Sequence, residues 1–169
     1  MPKAIKLFVH AVEKVNRVVG RITMYLIFVM IGVLMYASLS RTVLNVPVIW
    51  AVEMAQMLMA AYYLLGGSYA MQLGAHVRMD LLYSRWSRKT RAIVDAVTSV
   101  FLCFYVIYLL YGGIGSTQYA LEYGQKNYSV WAPPMAPIKI IMTLGILLML
   151  LQVIANFFKE IATARGKEL

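Results

Sequence analysis

Residues 140–158 read IIMTLGILLMLLQVIANFF, nineteen consecutive positions without Lys, Arg, Asp or Glu. As an α-helix this stretch is about 28 Å long at ~1.5 Å per residue, which matches a bilayer hydrocarbon core of about 30 Å. Outward from it, residues 22–40, 54–75 and 96–121 are equally free of charge. The whole chain of 169 residues is 62% hydrophobic and 14% charged, with a mean hydropathy of +0.71. Soluble domains average roughly 45–50% apolar and about 25% charged residues, so an ordinary soluble fold is excluded. The five remaining pieces (1–21, 41–53, 76–95, 122–139 and 159–169) are each at most 21 residues long. That is too short for an independent core, which is marginal even at about 40 residues. The expected fold class is therefore all-α integral membrane. It comprises one membrane domain, 1–169, with four transmembrane helices at about 22–40, 49–74, 92–120 and 137–158.

Charge gives the orientation. If both termini are cytoplasmic, 13 of the 16 Lys and Arg residues, all of them outside the charge-free stretches, face the cytoplasm and 3 (Arg41, Lys126 and Lys139) face outward. The positive-inside bias of short loops favours that arrangement, an N-in/C-in topology. It also accounts for the net charge of +9 without nucleic acid as a partner. The polar stretch before Ile22 is long for a signal-peptide n-region and no clear A-x-A site follows, so 22–40 reads as a retained first span.

Residues 1–21 carry Ile5, Phe8, Val9, Val12 and Val19 at helical spacing, with Lys3, Lys6, Lys14 and Arg17 elsewhere. This predicts an amphipathic cytoplasmic arm lying on membrane lipids, its lysines near anionic headgroups; packing of the same face on a partner protein is the alternative. Between the second and third spans, Asp80 and Ser87 are candidate helix caps. A short interfacial helix is expected there, with Trp86 in the headgroup region. Trp131 and the tyrosines of the third connection form the corresponding outer aromatic belt. Tyr105, Tyr108 and Tyr111 recur every three residues beside Gly112, Gly113 and Gly115, a composition suited to helix–helix contact, as are the small residues from Gly66 to Ala70.

Candidates for chemistry are few. Cys103 is the sole cysteine and lies mid-span, where it reads as a small apolar side chain. Glu53, one turn into the second span, is the one ionisable residue close to membrane depth, and such a residue is a functional hypothesis by default. It reads either as a proton-coupling or substrate carboxylate, or as a structural ion pair with Arg41 or a partner. His76 and Asp80 share a helical spacing but offer too few ligands for a metal. No nucleophile motif, phosphate loop or dinucleotide fingerprint is present, so no catalytic, substrate-binding or metal residue is assigned, no cofactor is expected, and the chain is not expected to be an enzyme.

Several local stretches, in this order and spacing, resemble the small membrane (Q) subunits of TRAP transporters, the tripartite ATP-independent periplasmic uptake systems with DctQ-like components. They are Trp50-Ala51-Val52-Glu53, Gly66-Gly67-Ser68-Tyr69-Ala70, His76-Val77-Arg78-Met79-Asp80, and the proline-rich restart from Pro133 to Pro137 followed by Gly145 and Gln152. The resemblance covers essentially the whole chain. It implies a scaffold subunit of the bacterial inner membrane that packs on a large M subunit, which moves substrate and sodium, while a periplasmic binding protein delivers a carboxylate or sulfonate. By this resemblance, Trp50 and Glu53 stabilise the outer end of the partner interface, and Gly66, Tyr105, Tyr108, Tyr111 and Gly112, already read as suited to helix contact, are expected on it as well. His76, Arg78 and Asp80 order a cytoplasmic corner, and Lys126 and Tyr128 meet the binding protein. Sodium is expected on the large subunit, and lipids as further partners. Two other readings are a homodimeric proton-coupled multidrug-type transporter using Glu53, and a membrane anchor of a redox enzyme, which the placement of His10 and His76 disfavours.

Overall fold

The computed structural model describes residues 3–74 and 88–164. Four helices account for most of them: α1 (Lys3–Val43), α2 (Ala51–Gln72), α3 (Arg88–Glu122) and α4 (Ala136–Ala164). Three of these are long and apolar enough to cross a membrane, over Ile5–Val43, Val97–Glu122 and Ala136–Ala162. At 22 residues α2 is about 33 Å long, but Glu53, Gln56, Tyr62, Tyr63 and Tyr69 are spread along it and leave it no uninterrupted apolar stretch like those of the other three. The expected interfacial helix between the second and third spans, with His76, Arg78, Asp80 and Trp86, lies outside the described residues.

The largest departure from expectation is at the N-terminal end. The arm and the first span are not two segments but one unbroken helix of 41 residues, about 62 Å long. No proline interrupts 3–43, so no backbone hydrogen bond is lost there. Gly20, the glycine at the expected junction, is a contact point instead of a break: a Cβ at that position would run into the Cβ and ring of Tyr69 on α2.

The face of the arm expected on lipid is also turned inward. Val9 and Val12 are buried against Ala155 of α4, with Ile5, Phe8, Leu151 and Phe158 packed around them. Asn16 and Thr23 continue the same row and are buried as well. The reason lies in α4, which runs to Ala164, six residues past its expected end at 158. Lys159 pairs with Glu13 on α1, and Glu160 accepts a hydrogen bond from Ser99 of α3 at 2.7 Å. A second apolar row on the arm, Leu7, Val15, Val18 and Ile22, is the exposed one.

α4 is the hub of the bundle. It packs on α1, α2 and α3, whereas α3 packs chiefly on α4 alone. Accordingly 28% of the most apolar window of α4 is buried, against 11% for those of α1 and α3. Small residues allow the helices to approach closely: Ala51, Ala55, Ala61 and Ser68 are buried on α2, and Ala155 and Ala162 on α4. The closest approach is at Gly145, where a Cβ would lie 2.7 Å from the carbonyl oxygen of Leu64. Because backbone cannot yield as a side chain can, Gly145→Ala is expected to destabilise the fold by about 1–3 kcal/mol. Thermal melting in detergent should show this, with Gly67→Ala, whose Cβ meets nothing within 4 Å, melting nearer the parent chain.

At the end of the bundle that carries the α1–α2 and α3–α4 connections, the turns are specified locally. Gly124 has φ +56°, and the Gln125 N–H donates to the carbonyl of Ala120 at 3.1 Å, the hydrogen bond of a Schellman motif closing α3. Pro137 falls in the first turn of α4, where a missing N–H removes no intrahelical bond.

Candidate functional site: the loop end and the uncovered face of α3

The loop end gathers the aromatic residues that flank the helices. Trp50 immediately precedes α2 and stacks on Tyr36 of α1 with ring centroids 6.4 Å apart. Trp131, from the α3–α4 connection, lies beside Trp50 with ring centroids 6.5 Å apart and planes tilted by 51°. Two tryptophans far apart in sequence thus form one ladder with Tyr36, bounding a cleft of about 460 Å³ with Pro47 and Val130. Glu53 lies one turn into α2, half-buried, with one carboxylate oxygen fully enclosed and without a hydrogen-bond partner among the described residues. The ion pair with Arg41 considered from the sequence is not formed; Arg41 is exposed.

The connection from α3 to α4 is short and braced. Lys126 and Pro134 form an isolated antiparallel bridge. The Lys139 ammonium donates to the Gln125 side chain at 2.6 Å and to the Ser116 carbonyl at 3.4 Å, and the Thr117 and Thr143 hydroxyls meet at 2.8 Å. On this braced loop the Lys126 side chain is exposed, and Tyr128 and Val130 stand almost wholly free of the chain. Ala132, at φ +47°, holds a conformation that costs a non-glycine residue on the order of 1–3 kcal/mol. Its N–H donates to the Ser129 hydroxyl at 3.1 Å.

Along α3 the chain leaves most of a helix uncovered. Tyr105, Tyr108 and Tyr111 are all exposed, and Phe101 and Phe104 extend the same face; Phe104 and Tyr108 pack at 4.8 Å. The neighbouring glycines divide by direction. Gly113 faces α4, where a Cβ would meet Ile146 and Thr143 at 3.4 Å, whereas Gly112 and Gly115 look outward with nothing within 4 Å. The exposed face is therefore aromatic along one half and bare backbone at the next turn, which lets a neighbouring helix approach closely. Gly66, expected on the same interface, instead looks toward α1, its Cβ position 4.0 Å from Thr23.

At the opposite end, which carries the termini, sequence reasoning missed a buried polar connection. The Asn16 side-chain amide donates to the Gln152 carbonyl oxygen at 2.7 Å, and the Gln152 amide donates to Asn156 at 3.0 Å. Asn16 and Gln152 are completely buried. Both are uncharged, so a search for ionisable groups at membrane depth passes over them. The available signal was the presence of two carboxamides at helical spacing, 152 and 156, in an otherwise apolar run.

Helices this long, with apolar side chains on their outward faces, are those of a polytopic membrane protein. The family model for the DctQ component of the tripartite ATP-independent periplasmic transporters matches residues 30–163, most of the chain. The chain belongs to that family, as the small membrane component of a transport system. No curated protein is significantly similar to it.

Proposed function

We propose that this chain is the scaffold subunit of a sodium-coupled TRAP uptake system for an organic acid, a carboxylate or a sulfonate, in the inner membrane of a bacterium. All four helices cross the bilayer, with the termini end in the cytoplasm and the loop end in the periplasm. The uncovered face of α3 packs on the large M subunit, and that subunit holds the sodium and substrate sites. The Trp50–Trp131 ladder and Glu53 brace the periplasmic end of the interface, while Lys126 and Tyr128 on the exposed loop contact the substrate-binding protein. His76, Arg78 and Asp80 order the cytoplasmic corner. Trp131 and Trp86 anchor the frame in the two headgroup layers.

The observation that carries this reading is the state of α3: a long apolar helix held on one side only, presenting five aromatic rings and two open glycines. Aromatic residues are the usual anchors of a protein interface. A member of this family with such a face is suited to add a fixed frame to a larger, moving subunit. The test is a gentle-detergent pull-down of the tagged chain from its native membranes with mass spectrometry of what accompanies it. One larger polytopic membrane protein at near 1:1 is the expected result. Recovery of a stable homo-oligomer alone would overturn the scaffold role and return attention to Glu53 as a transport residue.

A further inference from the structure

The cytoplasmic half of α1 precedes the matched residues 30–163 and has a third face besides its packed and exposed apolar rows. Lys6, His10, Lys14, Arg17 and Arg21 recur at intervals of four, four, three and four, which places them in one row along the helix, and all five are exposed. Glu13 lies within the same arc, but its carboxylate is engaged by Lys159 of α4 and so does not neutralise the row. A groove of about 550 Å³ runs along this face, from His10, Glu13, Lys14, Arg17 and Arg21 to Val18, Ile22 and Tyr25. The change from charged to apolar lining falls at Ile22, where the charge-free stretch 22–40 begins.

A ligand for such a groove carries negative charge at one end and a hydrocarbon chain at the other. Guanidinium groups match phosphate oxygens in a bidentate manner, and the apolar row continues along α1 past Tyr25 to the exposed Val29. Among the described residues that line the groove, the one acidic group that could attract the ammonium of a zwitterionic headgroup, Glu13, is already paired with Lys159. We propose that Lys14, Arg17 and Arg21 on α1, with Val18, Ile22 and Tyr25, form a binding site for an anionic phospholipid. The phosphate lies against the cations, and one acyl chain follows the exposed apolar row. The site belongs to this chain alone and does not depend on its docking to a large subunit.

The test uses the purified full-length chain in a neutral detergent, titrated separately with phosphatidylglycerol and phosphatidylcholine and followed by native mass spectrometry. Phosphatidylglycerol is expected to stay bound and phosphatidylcholine to dissociate. Each cation near an anionic lipid is worth about fivefold in binding, so an Arg17→Gln/Arg21→Gln variant should lose roughly 30-fold. Arg41→Gln, at the other end of the bundle, should bind as the parent does. Equal retention of the two lipids, or undiminished binding by the Arg17/Arg21 variant, overturns the proposal. So does a variant that keeps phosphatidylglycerol but loses the larger membrane protein in a pull-down, since the row would then serve an acidic segment of that protein. A measurement on the unaltered chain guards against a variant that fails to fold. Photoactivatable phosphatidylglycerol in nanodiscs should crosslink to Val18, Ile22 or Tyr25, and crosslinks confined to α3 or α4 would exclude the site.

Discussion

Replacing Gln152 with leucine is expected to lower the stability of the purified chain by about 1–3 kcal/mol, although the substitution makes α4 more apolar. The loss arises on α1. Asn16 is fully buried and donates its amide to Gln152, while its own carbonyl oxygen is already without a partner. Without the Gln152 side chain, every polar atom of the Asn16 side chain would be enclosed and unsatisfied, and such groups lose water without regaining a bond. The double variant Asn16→Leu/Gln152→Leu should recover part of the loss, because removing both partners of a buried hydrogen bond costs less than removing one. Denaturant titration in mixed micelles, followed by circular dichroism, reads the three variants on one scale. A Gln152→Leu variant as stable as the parent would show that this amide pair does not hold α1 to α4.

The second large effect separates folding from assembly with three glycines in one turn of helix. Gly112→Leu and Gly115→Leu add bulk where nothing of the chain lies within 4 Å. Both variants should fold and melt like the parent. If α3 is the face that meets the large subunit, either should reduce recovery of that subunit in a pull-down by tenfold or more, about 1.4 kcal/mol, since a helix that packed on bare backbone now meets a leucine. Gly113→Leu should behave in the opposite way. It points at Ile146 and Thr143 of α4 and should destabilise the isolated chain. Normal partner recovery with Gly112→Leu and Gly115→Leu would remove the outward face of α3 from the interface.

The helical content of the bundle was legible in the sequence because absence of charge over about 20 residues is a strong physical signal in a chain of this composition. The junction at 21/22 misled because the charges of the arm mark where side chains meet water, not where the helix breaks; Arg17 and Arg21 can sit on an exposed face while Asn16 and Thr23 on the same helix are enclosed. Likewise the row from Ile5 to Val12 showed correctly that one face is buried, but periodicity carries no information about what buries it. Lipid and α4 are equally apolar, and the contacts that hold the arm on α4 join residues far apart in sequence, 146 positions in the Glu13–Lys159 pair. In the candidate site, the exposure of Tyr105, Tyr108 and Tyr111 agrees with a stripe read from spacing alone. The opposed directions of Gly66 and Gly112 could not be read that way, because they depend on which neighbour each helix acquires.

The central place of α4 also fixes an order of events during synthesis. A ribosome makes α1 and α2 first, and these can pair as soon as both are made, since they pack on each other. α3 follows with its main neighbour still unmade. Asn16 waits for a hydrogen-bond partner encoded 136 residues later, and Ser99 and Thr117 wait for Glu160 and Thr143. Until α4 is made, Asn16 lacks the Gln152 side chain and Ser99 lacks Glu160. A chain that stops before α4 therefore lacks the helix on which the other three converge, and it leaves the Asn16 amide and the Ser99 hydroxyl without the partners they have in the finished subunit.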